Sequence, residues 1–395
     1  MRIIHTADWH LGRKLKGRDR TPEIELQLQA LTAYAIGHEV DAVLVAGDIF
    51  DHANPSTEAE RVAYQFFASL QHANIPAVAI AGNHDSAFRI DSVAHILSLA
   101  NVTALGKPRR PDDGGIVRVE TASGNLCVAA MPFASERRFL SDEYLWEKTG
   151  GERLQNYRDR VSKLLGLLAK EFRAGSVNIL MAHLAIAGAQ LSHSEREFET
   201  TGAYSLSEQT LPDAQYIALG HIHKQQKIAN AVAPTYYSGS LIQVDFGECN
   251  EDKGFNLVTV EPGKLAKVEF VTLPCPKPLR EIRCKADDLD SELEAHRNHP
   301  GWLKVIVELD EPRSHLAERV KQVCPQTLHV EARYRRSDKA QQRVEPQQLR
   351  SVEGARDRFR SYYRDRKGGT EPSPAVLAIF EDLYREVQEE RRAPD

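Results

Sequence analysis

Cysteine is scarce in this chain, and the few present do not pair. Cys127, Cys249, Cys275, Cys284 and Cys324 are scattered over 395 positions with no CxxC among them. That dispersal argues against a zinc–thiolate ribbon or a disulfide framework and suits a reducing compartment. No apolar stretch approaches the roughly 20 residues that a membrane helix requires. The opening MRIIHTADWH lacks the basic-then-apolar order of a secretory leader, so a cytoplasmic protein with no membrane attachment is expected. An excess of positive charge is missing too, for the formal net charge is −5. Composition alone therefore carries no nucleic-acid signature. A polyanionic partner would have to be met by local patches or by bound cations. There is no GxxxxGK[ST] loop to cradle a nucleotide, no internal repeat and no low-complexity tract. What the chain does have is 42% hydrophobic residues, enough for a sizeable core in two or three domains.

Apolar runs and helical stripes alternate over residues 1–275. Strands are predicted at 2–6, 41–46, 77–81, 116–119, 126–131, 178–181 and 216–219, with later ones at 236–238, 255–260 and 268–272. Helices are predicted at about 23–38, from Ser56 or Thr57 to 73, at 91–99 and at 153–173. Continuous apolar strands are those of a sheet covered on both faces, and the order predicts an α/β fold, a two-sheet αββα sandwich. The proline-dense Pro274–Pro278 segment, PCPKP, marks a boundary. Residues 276–338 read as a small α+β domain with a βαβ-like order. Residues 339–395 read as a polar linker and a helical tail, with segments at 352–366 and 374–391. The second segment aligns Val376, Ile379, Phe380, Leu383 and Val387 on one stripe.

Five short segments each follow an apolar strand and offer hard or imidazole ligands. They are Asp8-Trp9-His10, Gly47-Asp48-Ile49-Phe50-Asp51, Gly82-Asn83-His84-Asp85, His183, and Gly220-His221-Ile222-His223. Loops at the carboxyl ends of sheet strands are where α/β folds seat ligands. Residues two apart in an extended chain point to one side, so Asp8 with His10, and His221 with His223, can each grip one centre. Gly47, Gly82 and Gly220 allow close backbone approach. Carboxylates, imidazoles and one amide without thiolate favour Mn²⁺ or a similar divalent ion over structural zinc. An isolated DxH means little; five such segments in order mean a great deal.

The series DxH, GDxxD, GNHD, H, GHxH resembles the calcineurin-like metallophosphoesterase superfamily. Ile4–Gly12, Val45–Asp51 and Ala81–Ser86 resemble its SbcD-type branch more closely than the protein phosphatases, which usually carry GNHE. The specific motifs cover roughly residues 1–275. The resemblance implies two divalent metal ions, Mn²⁺ or alternatively Mg²⁺. Asp8, His10 and His223 would hold the first, Asn83, His183 and His221 the second, with Asp48 bridging. It implies that His84 is not a ligand but protonates the leaving oxygen, with Asp85 orienting it, and that Asp51 lies behind the ligands. It implies a DNA exonuclease and endonuclease, a small domain that caps the site and binds DNA, and an SbcC-type coiled-coil ATPase partner gripped by the tail stripe. It also implies a homodimer formed through phosphoesterase-domain helices, for which Leu26, Leu31, Tyr34, Phe66 and Phe67 are candidates. A small-substrate phosphodiesterase of the same fold and a non-catalytic scaffold remain as alternatives.

Plainer readings stand beside these. Of 15 histidines, only five are assigned to the site. His193 is expected to be a polar loop residue, though the loop around it could contact DNA. Arg13, Lys14, Lys16, Arg18 and Arg20 directly follow the first motif and are candidates for phosphate contact, or else a solvated loop. Trp9 is expected to pack beneath the metal loop, and Tyr362 and Tyr363 to pack within their helix.

Overall fold

Short aliphatic runs can be buried on both sides only inside a covered sheet, and that is where this chain places them. The computed structural model describes residues 1–135, 150–192, 205–311, 313–334, 352–366 and 371–390. The first series of elements is β1 (Arg2–Thr6), a hairpin of β2 (Lys14–Leu15) and β3 (Arg18–Asp19), α1 (Thr21–Gly37), β4 (Ala42–Val45), α2 (Thr57–His72), β5 (Ala77–Ile80), α3 (Ala87–Ser98) and β6 (Val102–Leu105). The second is β7 (Ile116–Thr121), β8 (Gly124–Met131), α4 (Gly150–Ala169), β9 (Val177–His183), β10 (Tyr216–Gly220), β11 (Gln226–Lys227) and β12 (Thr235–Tyr237). Strands β13 (Gly254–Thr259) and β14 (Lys267–Thr272) then return to the first sheet.

The two large sheets have six strands each, in the orders β14-β13-β1-β4-β5-β6 and β11-β12-β10-β9-β8-β7. β1, β4, β5 and β6 run parallel, as do β8, β9, β10 and β12. Ile3, Leu44 and Val78 of the first sheet share one buried cluster with Val128, Ile179 and Ala218 of the second. The outer face of the first sheet carries α1 and α2, through Leu28, Leu31, Phe66 and Phe67. The outer face of the second carries α4, through Tyr157, Val161, Leu165 and Leu168. The layers are therefore αββα, as the alternation predicts. Trp9 is buried, edge-on to Phe66 at 5.0 Å.

Helix starts follow local chemistry. Ser56 caps α2, its Oγ accepting from Ala59 N at 3.2 Å. Ser86 caps α3 the same way, accepting from Arg89 N at 3.3 Å. This second cap starts α3 at Ala87, four residues earlier than the periodicity suggests, directly after the GNHD segment.

Beyond the proline-dense segment, β15 (Leu279–Lys285), α5 (Leu289–His296), β16 (Trp302–Leu309), α6 (Leu316–Val323) and β17 (Thr327–Tyr334) form a βαβαβ unit with a three-stranded sheet. It has its own core of Leu293, Leu303, Val305, Val307 and Val320. Trp302 Nε1 donates to Glu23 Oε1 at 3.1 Å and Leu279 N to Gln243 Oε1 at 2.7 Å, so this unit is tied to the sandwich. Met1–Arg333 make one compact unit, and Tyr334–Asp395 a second. The second is a helical hairpin of α7 (Val352–Arg366) and α8 (Pro374–Glu390). Among the described residues no helix is long and apolar enough to cross a membrane.

Three surface expectations need correction. Arg20 is not a DNA-facing cation. It is 0% exposed, its guanidinium forked onto Glu23 at 2.8 and 2.6 Å and donating to Gln243 O at 3.1 Å. Leu31, Phe66 and Phe67 are core residues facing the first sheet, so they are not an interface. Of the five candidates Leu26 is exposed on α1 (53%) and Tyr34 is half-buried, and further exposed apolar groups are Ile36 on α1 (54%) and, on α3 and its end, Phe88 (61%), Ile96 (66%) and Leu99 (77%). The tail stripe is split. Phe380 stacks on Phe359 within the hairpin at 4.3 Å, while Ile379 and Leu383 are exposed and Val376 is half-buried. The Val387 side chain lies outside the described residues. Tyr363 packs 5.9 Å from Phe359, whereas Tyr362 is exposed.

Removing one partner of a buried ion pair strands the other charge, at a cost of about 3–5 kcal/mol. Arg20→Ala is therefore expected to lower the guanidinium unfolding midpoint sharply, while Lys16→Ala at the hairpin tip stays within about 0.5 kcal/mol of the parent. Comparable midpoints for the two variants would count against the buried role of Arg20.

Candidate metal centre

The five motif segments meet where the carboxyl ends of the parallel strands of both sheets come together. Asp8 and His10 follow β1, Asp48 follows β4, Asn83 and His84 follow β5, His183 ends β9, and His221 and His223 follow β10. The first two loops are laced side by side, with Asp8 N donating to Gly47 O, His10 N to Asp48 O and Leu11 N to Ile49 O, each at 3.0 Å. Four of the seven expected ligands hold a left-handed backbone that side chains seldom adopt: Asp8 (φ 54°), His10 (52°), Asp48 (51°) and His221 (105°). Such strain costs on the order of 1–3 kcal/mol per residue and persists where the surroundings over-determine it. The glycines are sterically required. A Cβ at Gly82 would sit 2.1 Å from Asp48 Oδ1, and one at Gly47 would sit 2.2 Å from His183 Nδ1.

All seven expected ligands gather in one place. Asn83 Oδ1 lies 2.8 Å from His183 Nε2 and 2.9 Å from His221 Nδ1. Asp48 Oδ2 lies 3.6 Å from His183 Nε2 and 3.7 Å from His10 Nε2. The backbone N–H of His221 donates to the Asp8 carboxylate at 3.0 Å, and His10 Nε2 lies 3.0 Å from His223 Nε2. Ligand atoms of Asp8, His10 and His223 lie within 4.8 Å of one another, as do those of Asp8, Asp48 and His183.

The tautomers decide what this geometry can hold. His183 Nδ1 faces Ala46 O at 2.8 Å, where only an N–H can sit, so Nε2 carries the lone pair. His223 Nδ1 faces Glu248 Oε1 at 3.0 Å, which places its lone pair on Nε2, and His10 Nδ1 lies 3.3 Å from Asp51 Oδ1. The side-chain lone pairs of His183 and His223, the carboxylate oxygens of Asp8 and Asp48 and the amide oxygen of Asn83 thus turn toward one small volume. Such a convergence is repulsive unless a cation lies at its focus, and the donor set fits divalent metal ions.

Ionisation follows the same field. Burial pulls the His10 pKa down to about 4 against the opposing effect of Asp51 and Asp48, which keeps the ring neutral as a ligand must be. Burial opposes ionisation of Asp48, but His183, His10 and His84 outweigh it and hold the carboxyl well below its usual range. Burial likewise opposes ionisation of Asp51, yet His10, Arg13 and His52 bring it to about 2.

His84 sits beside the ligands, its ring 4.7 Å from that of His10. Its Nδ1 donates to the Asp51 carbonyl at 2.8 Å, and its backbone N–H to Asp48 Oδ1 at 2.8 Å. The expectation that Asp85 orients His84 is therefore wrong. Asp85 instead accepts three backbone N–H groups, from Phe50 at 2.9 Å, Ile49 at 3.1 Å and Gly82 at 2.9 Å, and so pins the second and third loops together. Burial and the nearby Asp48 charge raise its pKa to about 7. Asp51 does lie behind the ligands, touching His10, Arg13 and His52.

Sequence reasoning missed two groups. Glu248, in a turn at Phe246–Glu248, reaches His223, and the buried Lys253 lies 2.6 Å from its other oxygen. Phe133, after β8, stacks 6.3 Å from the His221 ring. The only available signal for Glu248 is chemical, since a ligating histidine needs an acceptor for its second nitrogen. Among the basic candidates, Lys14, Lys16 and Arg18 are exposed, Arg18 lying over the Trp302 ring at 5.7 Å, while Arg13 pairs with Asp51 at 3.3 Å. His193 and its neighbours to residue 204 lie outside the described residues.

A two-sheet sandwich that gathers imidazole, carboxylate and amide ligands at its strand ends defines a metallophosphoesterase. Residues 1–225 match the family described as calcineurin-like phosphoesterase, and residues 275–367 match one described as type 5 capsule protein repressor C-terminal domain. The chain is 31% identical to the SbcD subunit of the nuclease SbcCD from Bacillus subtilis (strain 168), over 99% of each chain. It is 31% identical to the protein of the same name from Escherichia coli (strain K12), over 89% of each. The chain belongs to the SbcD family of calcineurin-like phosphoesterases.

An asparagine at position 85 offers one acceptor oxygen where a carboxylate serves three amides, and leaves buried donors unpaired at about 1–3 kcal/mol each. Asp85→Asn is expected to lower thermal stability and to speed hydrogen exchange selectively at the Ile49, Phe50 and Gly82 amides. Unchanged exchange at those three would show that Asp85 does not clamp the loops.

Proposed function

We propose that this chain is the nuclease component of an SbcCD-type DNA end-processing complex, hydrolysing phosphodiester bonds at a dinuclear metal centre. The observation that carries this reading is the convergence of seven acceptor side chains from five strand ends, with an imidazole beside them. Asp8, His10 and His223 would hold one divalent cation and Asn83, His183 and His221 the other, with Asp48 placed between the two groups. Mn²⁺ suits the mixed imidazole and oxygen donors, with Mg²⁺ as the harder alternative. Such a pair of ions, when bound, polarises phosphoryl oxygens and makes water nucleophilic near neutral pH.

The chain's own residues orient and transfer protons. The Asp51 carbonyl fixes the proton on His84 Nδ1, which leaves Nε2 as the end that exchanges a proton with the substrate. Protonated there, His84 stabilises developing charge and delivers a proton to the leaving oxygen. The hairpin carrying Lys14, Lys16 and Arg18 extends from the first motif and supplies exposed cations for backbone phosphates. A positive patch beside bound cations gives a route to DNA despite the overall negative charge.

The substrate is double-strand ends and hairpins, cut as both exonuclease and endonuclease, in the cytoplasm. The tail hairpin presents Ile379 and Leu383 to an SbcC-type ATPase partner. Candidates for a homodimer contact through the phosphoesterase helices are the exposed Leu26 and Ile36 of α1 and Phe88, Ile96 and Leu99 on α3 and at its end. A small-substrate phosphodiesterase has little use for the βαβαβ unit and tail, and a scaffold has no need of an intact ligand set.

With Mn²⁺ and a hairpin DNA, His84→Ala is expected to cut the cleavage rate by roughly 10²–10⁴-fold while leaving Mn²⁺ binding intact. Equal rates for the variant and the parent would remove His84 from the mechanism. Parent protein that turns over an aryl phosphodiester but not DNA would remove the nuclease reading.

A further inference from the structure

The two halves of the centre are backed by different chemistry. His183 Nδ1 rests on a neutral backbone carbonyl, whereas both histidines of the first half have a carboxylate behind them, Asp51 for His10 and Glu248 for His223. Glu248 is fully buried, far in sequence from every motif, and held from several sides. Its Oε2 lies 2.6 Å from Lys253 Nζ, accepts Val244 N at 3.0 Å and faces Ser240 Oγ at 3.4 Å. Lys253 is itself buried and spends its remaining protons on Glu251 at 2.9 Å and on His223 O at 3.0 Å. One carboxylate oxygen is thus anchored by donors, and the other is presented to His223 Nδ1.

We infer that Glu248 is a positioning residue that selects the His223 tautomer able to ligate metal, with Lys253 as the anchor that keeps the carboxylate in place. The inference rests on the proposed dinuclear site. Its logic is donor against acceptor. With Glu248 ionised, His223 Nδ1 carries the proton and Nε2 keeps its lone pair toward His10 and Asp8. In Glu248→Gln the side-chain oxygen is drawn to Lys253 and Val244 N, both donors, which turns the NH₂ toward His223 Nδ1. The imidazole then accepts at Nδ1 and carries its proton on Nε2, where a cation should sit. The substitution keeps shape and leaves Lys253 paired with Glu251, so it alters the tautomer rather than the packing. Carboxylates behind metal-bound histidines are commonly worth about 10–100-fold in metal affinity.

The test is Mn²⁺ titration calorimetry on the full chain, in the parent, Glu248→Gln, His223→Ala and the double variant. The parent is expected to show two binding events. Glu248→Gln is expected to weaken one by about 10–100-fold and preserve the other, which a misfolded protein would not do. In the His223→Ala background, Glu248→Gln is expected to change nothing further, whereas a merely structural glutamate would add its own effect. The inference is overturned if Glu248→Gln binds both ions like the parent, if it loses both, or if the two substitutions add. A parent that binds no Mn²⁺ at all would instead bring down the proposed function, and this inference with it.

Discussion

The constraint on which this molecule turns is the crowding of like-signed lone pairs at the focus of two sheets. Asp8, Asp48, Asp51, Asp85 and Glu248 are all buried, and removing even one ionised carboxylate from water costs several kcal/mol before any partner is counted. Histidine protons do not discharge this cluster, because burial holds His10 neutral and lowers the pKa of His183. Lys253, the buried cation beside the first half, is committed to Glu248, Glu251 and the His223 carbonyl. A centre arranged in this way is electrostatically incomplete as protein alone and becomes favourable with divalent cations. That is the physical content of calling it a metal site.

The fold supplies what this crowding demands. Parallel strands deliver their carboxyl ends to one edge, and two sheets face to face bring two such edges together, so ligands separated by up to 215 positions, Asp8 to His223, become neighbours. Strain is concentrated at the same edge, in the left-handed backbones of Asp8, His10, Asp48 and His221. It is held by loop-to-loop hydrogen bonds and by Asp85, whose three accepted amides stitch the β4 and β5 loops. Glycine at 47 and 82 is the other half of that arrangement, since any side chain there would occupy the space of His183 or Asp48.

The converging segments and the two-sheet layering were legible in the sequence because each rests on a repeated local signal: an apolar run and then hard donors, with a glycine between them in three of the five segments. The layers, the three strands and second helix of the small unit, and both tail helices follow from the apolar pattern. What escaped the sequence depends on distance and burial. Asp85 and Asp51 each sit at the end of a motif, and nothing linear says that the first grips backbone amides while the carbonyl of the second holds His84. Arg20 reads as one of five cations in a basic run, yet the chain turns it inward against Glu23. Glu248 has no motif because its role is defined by which histidine nitrogen it meets. α5 (Leu289–His296) and β6 (Val102–Leu105) were too short to stand out from their surroundings.

Arg20 and Glu23 also show how the small βαβαβ unit is fixed relative to the chemistry. The hairpin of β2 and β3 begins four residues after His10 and ends at Asp19, next to Arg20. Leu15 of the hairpin packs with Phe246 and Leu279, Arg18 lies over Trp302, and Glu23 receives the Trp302 indole. Phe246 opens the short turn whose last residue is Glu248. The same contacts that seat the small unit therefore flank the segments that position His10 and His223. A buried, hydrogen-bonded network of this kind resists piecemeal rearrangement, because breaking one pair leaves a charge unpaired. It follows that the segments positioning His10 and His223 lie on a seam shared with the small unit, whereas the described partners of Asn83 and His183 lie in the sandwich.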